Sequence, residues 1–115
     1  MVNWVSLEQA SQLDEIIDIS KQTPCLIFKH STRCAISSMA KYRLESDWNF
    51  AAGELQAYFL DLIAHRPLSK QIADTFRVHH ESPQVLLIRD GECTYDASHL
   101  DISVEELREC FEDVF

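Results

Sequence analysis

The segment CLIFKHSTRCAIS, residues 25–37, carries the strongest structural signal in the chain. Thr23-Pro24 comes directly before it and ends the preceding helical pattern, because proline lacks an N–H and disfavours helix at the residue ahead of it. Cys25–His30 is then a short, mostly apolar run. Such a run is typical of a strand that is buried on both faces, as in a parallel sheet.

A helix is expected directly after this strand. Ser31 and Thr32 can cap its first turn, which places Cys34 at or just before that turn. Apolar side chains then recur at intervals of three and four, as they do along one face of a helix. These apolar residues are Ile36, Met39, Ala40, Leu44 and Trp48.

The rest of the chain extends this strand and helix into an alternating pattern. Three further helices are predicted. The first covers about 7–21 and follows the capping box Ser6–Gln9, and the second runs from Pro67 to before Glu81. The last begins at the capping box Ser103–Glu106 and has an apolar stripe of Val104, Leu107, Phe111 and Val114. Further strands are predicted at Asn3–Val5, Ala57–Ile63 after the connection Asn49–Gln56, Gln84–Arg89 and Glu92–Ala97, with a type I′ turn at Asp90-Gly91. Alternation of this kind predicts an α/β layer fold.

Length and composition narrow the classes of protein further. A chain of 115 residues, 46% hydrophobic with only 2 Gly, fits one globular domain over residues 1–115 rather than disorder. The net charge of −9 opposes binding to nucleic acid or to an anionic membrane. No apolar run could span a bilayer, and Met1–Ala10 does not have the pattern of a signal peptide, so we expect a cytoplasmic protein whose four cysteines are mostly thiols.

Cys34 is the main candidate for chemistry. Backbone N–H groups at a helix start and the helix dipole stabilise an anion there, and a cysteine thiolate is such an anion. Residues 19–44 contain five of the ten basic residues and none of the nineteen acidic ones, which predicts a local basic patch that attracts a carboxylate-bearing thiol. A second cysteine three residues on would make a dithiol motif, but Ser37 stands there, so an adduct on Cys34 waits for an external thiol or a cysteine from elsewhere.

The order of elements resembles the thioredoxin fold: a strand, a cysteine at a helix start, a later strand opened by Pro83, and a final helix. This resemblance covers nearly the whole chain and implies a three-layer sandwich, with a central mixed sheet of four or five strands flanked by helices. More closely, HSTRCAIS (30–37), HESPQ (80–84) and SHLDI (98–102) resemble the monothiol bacilliredoxin family of general stress proteins. That family commonly has proline directly after the redox cysteine, where this chain has Ala35.

The resemblance implies a thiol–disulfide oxidoreductase that removes a low-molecular-weight thiol, bacillithiol or a similar one, from mixed disulfides on proteins. Cys34 is then the attacking residue, and Pro83 is a cis-proline beside it. We expect the substrate to be bound by Thr32, Arg33, Ser82 and Pro83. The small thiol is a co-substrate and S-thiolated client proteins are the partners, with no metal, no tightly bound cofactor, no nucleic acid and no membrane.

Several alternatives stay open at this stage. His30 and Ser37 are candidates for supporting residues behind Cys34, but His30 could equally be a strand-end histidine satisfied by the backbone. Cys25 is interpreted as a packing residue, and so are Cys93 and Cys110, although any of the three could resolve an adduct. The whole domain could instead be a redox-sensing or protein-binding module, since it lacks a resolving cysteine at position 37. Binding of an iron–sulfur cluster, as in some monothiol glutaredoxins, is disfavoured because the sequence Cys-Gly-Phe-Ser is absent.

Overall fold

The computed structural model of the chain describes residues 2–112. Five strands and four helices follow one another in the order β1 (Val5–Ser6), α1 (Ser11–Ile19), β2 (Cys25–His30), α2 (Ala35–Asp47), β3 (Gln56–Asp61), α3 (Arg66–Phe76), β4 (Gln84–Arg89), β5 (Glu92–Ser98) and α4 (Val104–Glu112). A short 3₁₀ helix, His99–Asp101, lies between β5 and α4. Val114, which the sequence places on the last helical stripe, lies outside the described residues.

The strands form one mixed sheet in the order β1-β3-β2-β4-β5. β1 and β2 each pair with β3 in parallel, whereas β4 pairs antiparallel with both β2 and β5. One face of the sheet packs on α1 and α3, and the other packs on α2 and α4. The predicted α/β sandwich with a mixed sheet is confirmed, and β2 lies at its centre with all six residues buried.

The first helix starts later than predicted. Ser6 does not cap it, because the backbone around Ser6 pairs with β3 and the N–H of Leu7 donates to the carbonyl of Phe59 at 2.8 Å. The side chain of Gln12 takes over the capping role: its Oε1 accepts from the N–H groups of Glu8 and Gln9 at 2.6 and 2.9 Å. The prediction of a helix from residue 7 is therefore wrong, and the first strand is Val5–Ser6 rather than Asn3–Val5.

The start and the buried face of α2 also differ from the prediction. Its N-cap residue is Cys34, not Ser31 or Thr32. The helix buries Ser37, Ala40 and Leu44, and it leaves Ile36 and Met39 41% and 55% exposed. The apolar spacing was misleading because small residues, which allow α2 to approach the sheet closely, occupy two of the three buried positions.

Several element ends were predicted too far or too short. β3 ends at Asp61 rather than Ile63, because the Asp61 carboxylate accepts from the N–H of Ile63 at 3.1 Å and turns the chain. α3 ends at Phe76, before Glu81 as predicted, where Arg77 adopts a left-handed conformation with φ 58°. β5 reaches Ser98, one residue beyond the predicted end.

Other local predictions are confirmed. β2 and β4 have the predicted bounds. Asp90 and Gly91 both have positive φ, 53° and 78°, as a type I′ turn requires. Ser103 Oγ accepts from the N–H of Glu106 at 3.2 Å, which is one half of the predicted capping box. No helix within residues 2–112 is both long and apolar enough to cross a membrane.

Candidate functional site

Cys34 lies at the junction that the sequence predicts for it. β2 ends at His30, a short loop follows, and Cys34 has an extended backbone (φ −109°, ψ 122°) before α2 begins at Ala35. Its N–H donates to the carbonyl of Ser31 at 3.1 Å, and its carbonyl accepts from the N–H of Ser38 at 3.0 Å. The side chain is half-buried and makes no capping hydrogen bond, so the thiol lies at the helix start without a capping role.

Ser37 supports this loop from below. Its side chain is fully buried, and its Oγ accepts from the N–H of Ser31 at 3.0 Å and lies 2.7 Å from His30 Nδ1. Burial lowers the pKa of His30, and so does the positive charge of Lys41, whereas a hydrogen bond with Ser37 raises it. Ser37 therefore ties the end of β2 to the first turn of α2, and the role of His30 as a residue behind Cys34 stays a prediction.

The segment HESPQ (80–84) leads into β4, the strand that pairs with β2 next to this loop. Gln84 pairs with Lys29, so the Ser82–Pro83 bond lies beside the end of β2 from which the Cys34 loop departs. That bond is cis, as the family resemblance implies. The side chain of Gln84 holds the preceding loop, because its Nε2 donates to the carbonyl of His79 at 3.0 Å and its Oε1 accepts from the N–H of Glu81 at 3.4 Å.

The third matched segment joins the other two. The 3₁₀ helix His99–Asp101 packs against α2, and the N–H of His99 donates to the carbonyl of Pro83 at 3.0 Å. His99 has φ 56°, and its Nε2 lies 3.6 Å from a carboxylate oxygen of Glu81. Three segments that are far apart in sequence thus meet at the end of the sheet where β2 finishes. They are residues 30–37, 80–84 and 98–102.

The four residues expected to contact substrate are placed differently from one another. Thr32 and Arg33 are exposed on the loop before Cys34, where they are open to a ligand. Pro83 is buried, and Ser82 Oγ is buried without a hydrogen-bond partner among residues 2–112. An unpaired buried hydroxyl is costly, and the substrate contacts expected of Ser82 and Pro83 stay predictions.

The predicted basic patch around Cys34 is only partly present. Lys29 points to the opposite face of the sheet, where its Nζ is buried against α3. Lys21 forms an exposed ion pair with Asp18 near the other end of β2, and Lys41 pairs with Glu45 at 2.9 Å. Arg33 is the basic residue next to Cys34 in sequence, and it has no ion-pair partner among the described residues.

The other cysteines lie in different surroundings. Cys25 is fully buried at the amino end of β2, and burial raises its pKa to about 11. Cys93 lies in the same row of the sheet, since both residues pair with Ile88, and burial raises its pKa to about 11 as well. Cys110 is partly buried against the core between the sheet and α4. Cys25 and Cys93 therefore belong to the core, as packing residues do.

Sequence reasoning missed two features of this edge. The sequence analysis used Gln84 only as part of the HESPQ motif. A polar side chain at the start of a buried strand needs hydrogen-bond partners, so the sequence could have predicted that Gln84 binds the backbone nearby. The exposed side chains of Ile36, Met39 and Leu100 were also missed, because a helical period alone does not say which face is buried. Within residues 2–112, no three His, Cys, Asp or Glu side chains are arranged to hold a metal ion.

The fold and the site together define a thioredoxin-fold protein with a single cysteine at the start of the helix that follows its central strand. A family model described as "Monothiol bacilliredoxin BrxC" matches residues 5–107, and the chain belongs to this family of thiol oxidoreductases.

Solved structures agree with this assignment. One that is described as a putative oxidoreductase with a thioredoxin fold is 30% identical with a TM-score of 0.78, over 95% of this chain and 94% of the other. A thioredoxin from Malassezia sympodialis is 15% identical, with a TM-score of 0.72 over 96% and 90% of the two chains. A mutant thioredoxin from Halobacterium salinarum is 16% identical, with a TM-score of 0.70 over 98% and 94%. The last two show likeness of fold alone.

Proposed function

We propose that this protein is a monothiol oxidoreductase that removes a low-molecular-weight thiol, bacillithiol or a similar one, from mixed disulfides on client proteins. The observation that carries the proposal is the half-buried Cys34 at the open start of α2, beside the Ser82–Pro83 bond. Such a position provides what thiol–disulfide exchange needs, namely access for the incoming disulfide and N–H groups that favour the thiolate.

The reaction balances in two exchanges. In the first, the Cys34 thiolate attacks the small thiol's sulfur, a new disulfide forms between them, and the client protein leaves as a thiolate. In the second, a thiolate from solution attacks the small-thiol sulfur of the adduct, and Cys34 leaves as a thiolate while a disulfide of the two small thiols is released. The reducing electrons come from the second thiol, so the cycle requires neither metal nor bound cofactor.

The surroundings of Cys34 support an external second thiol. Ser37 cannot form a disulfide, and its hydroxyl is already engaged with the backbone of Ser31. Cys25 and Cys93 lie at the amino end of β2, five residue steps or about 17 Å along the strand from His30. A disulfide needs Cα atoms within about 7 Å, so neither residue can resolve the adduct without a large rearrangement.

The test uses the full chain at one twentieth or less of the concentration of an S-thiolated client, with the small thiol in excess. Intact-mass spectrometry follows the loss of the adduct from the client. We expect many clients to be cleared per chain, and Cys34→Ala to reduce the rate to that of the thiol alone. Cys25→Ala, Cys93→Ala and Cys110→Ala are matched controls that keep much of the activity.

The second candidate is a redox sensor, in which an adduct on Cys34 alters a contact with a partner. The absence of a cysteine at position 37 favours it, because an adduct without a resolving thiol is longer lived. The same experiment separates the two functions. A sensor clears no more than one client per chain and accumulates as the Cys34 adduct, and that result would contradict catalysis.

A further inference from the structure

A cleft beside α3 holds a group of positively charged side chains that the exchange reaction at Cys34 does not use. Its volume is about 300 Å³, and it is lined by Leu62, Arg66, Ser69, Lys70, Ala73 and His80. This size lies at the lower end of the range for small-molecule sites, about 300–1,000 Å³. It therefore suits a ligand of a few carbon atoms rather than a nucleotide.

The two exposed basic side chains of the cleft form no ion pair within residues 2–112, and one of its lining residues, His80, is influenced by a nearby carboxylate, that of Glu81. Arg66 and Lys70 are exposed one helical turn apart on α3, and neither has an ion-pair partner among residues 2–112. No lining residue is acidic. The cleft is therefore a positively charged region in a protein whose net charge is −9, and its charge favours binding of an anion.

A third basic residue, Lys29, lies beneath the cleft. Its side chain is fully buried, and its Nζ donates to the carbonyl of Ser69 and to His80 Nδ1, both at 3.2 Å. No carboxylate contacts this amine in the described part of the chain. Burial lowers the pKa of Lys29 to about 8, so the amine is still mostly protonated at neutral pH. A buried ammonium group normally requires a negative partner.

His80 presents a donor to the cleft. When Lys29 is protonated its ammonium group can only donate, so in that state His80 Nδ1 accepts from Lys29 and the ring hydrogen is on Nε2. The hydroxyl of Ser69 also lies 3.2 Å from Nδ1, which fixes the ring from the side of α3. His80 is exposed and its Nε2 has no partner among the described residues, so this nitrogen donates to water in the free protein and is available to a ligand in the cleft.

The remaining walls of the cleft are apolar. Leu62 and Ala73 contribute hydrocarbon surface, and the aliphatic stems of Arg66 and Lys70 extend it. A bare inorganic anion would leave this surface in contact with water. A ligand that has both an acid group and a short hydrocarbon chain satisfies both parts of the cleft.

We propose that the cleft beside α3 binds a small organic acid, whose carboxylate contacts Arg66, Lys70 and the Nε2–H of His80 and whose apolar chain lies against Leu62 and Ala73. The proposal is independent of the exchange reaction at Cys34. It assigns a role to the buried Lys29, which supplies positive charge below the carboxylate and fixes the tautomer of His80.

The test is an NMR titration of the full chain with hexanoate at constant ionic strength, observing the Ser69 amide and the His80 ring. Hexanamide is the neutral analogue, and inorganic phosphate is the anion without a hydrocarbon chain. We expect saturable shifts confined to the cleft, with hexanamide and phosphate each binding at least about tenfold more weakly than hexanoate. Arg66→Ala should weaken hexanoate binding at least about tenfold, because it removes a charge-assisted contact.

Lys21→Ala is the matched control, since Lys21 is an exposed base that lies away from the cleft and pairs with Asp18. It should leave hexanoate binding unchanged. Shifts that do not saturate, or an equal loss in Lys21→Ala and Arg66→Ala, would overturn the site. Equal binding of hexanamide would overturn the role of charge, and equal binding of phosphate would overturn the role of the apolar wall.

Discussion

The two ends of the central strand β2 differ in how completely their polar groups are satisfied. At the amino end, Ser20 accepts from the N–H of Asp90 through its carbonyl and from the N–H of Gly91 through its Oγ, at 2.9 and 2.8 Å. This joins the end of α1 to the β4–β5 turn beside the buried Cys25. At the carboxyl end, Cys34 is half-buried without a capping bond, and Ser82 Oγ is buried without a partner in the described chain.

The comparison shows that surroundings, not residue type, decide what a cysteine does. Cys25 opens β2 and Cys34 follows its other end, but Cys25 is enclosed by core side chains and Cys34 lies at a helix start. One end of β2 stabilises the fold. The other end leaves polar groups without partners in the described chain, which is how functional sites commonly depart from an otherwise consistent structure.

The largest expected effect is a contrast in alkylation between these two thiols. Burial raises the pKa of Cys25 to about 11, so about one molecule in ten thousand carries the thiolate at pH 7, and the core also blocks the reagent. Iodoacetamide should modify Cys34 at least about 100-fold faster than Cys25, as measured by peptide mass spectrometry. In concentrated urea the difference should become small. Equal rates in the native protein would contradict the comparison.

The next largest effect is the loss of stability expected when the Ser37 hydroxyl, which holds the Cys34 loop, is removed. Ser37→Ala leaves the N–H of Ser31 and the ring of His30 without their shared partner, which should cost about 1–3 kcal/mol in the free energy of unfolding measured with urea. Cys34 alkylation should also change, because the loop is no longer held. Ser38→Ala, one residue on and exposed, is the control and should stay within about 0.5 kcal/mol. A loss in Ser38→Ala as large as that in Ser37→Ala would rule out this role.

The sequence predicted the sheet better than the site. Long apolar runs and strong turn signals identified β2, β4 and the Asp90–Gly91 turn to the residue, because burial and positive φ leave a direct mark on residue choice. Helix starts were less predictable. The backbone of Ser6 is used by strand pairing and its capping role passes to Gln12, a choice that depends on the distant strand β3.

The sequence predicted where the site lies, but it did not predict which side chains surround Cys34. Cys34 at a helix start follows from local pattern alone. The predicted strand already puts Lys29 and His30 on opposite faces of the sheet, but a continuous apolar run carries no polar face that would show which of the two shares the side of α2. The basic patch failed for this reason: Lys29 adjoins His30 in sequence, but it contributes to the cleft beside α3.

A smaller effect tests the amino end by itself. Gly91 has φ 78°, and an added Cβ would come within 3.2 Å of Ile17 Cγ2, whereas Gly53 has φ 81° and open space around it. Gly53→Ala should cost about 1 kcal/mol from backbone strain, and Gly91→Ala about 1 kcal/mol more from the contact. Both are measured by urea unfolding. Cys34 alkylation should be unchanged in Gly91→Ala, and a change there would show that the two ends of β2 are coupled.

The smallest effect is the pH dependence that His30 gives to the carboxyl end. Burial, and then the charge of Lys41, lowers the pKa of His30 below its usual value near 6.5, so the folded state binds this proton more weakly than the unfolded state. The resulting stability is fully present above pH 6.5 and is lost as the pH falls through the folded pKa. Urea unfolding at pH 7.5 and 5.5, above the range in which most carboxyl groups titrate, should show a decrease that is smaller in His30→Gln. An equal decrease in the variant would mean that other groups carry the pH dependence and that burial and the charge of Lys41 do not hold the ring of His30 neutral.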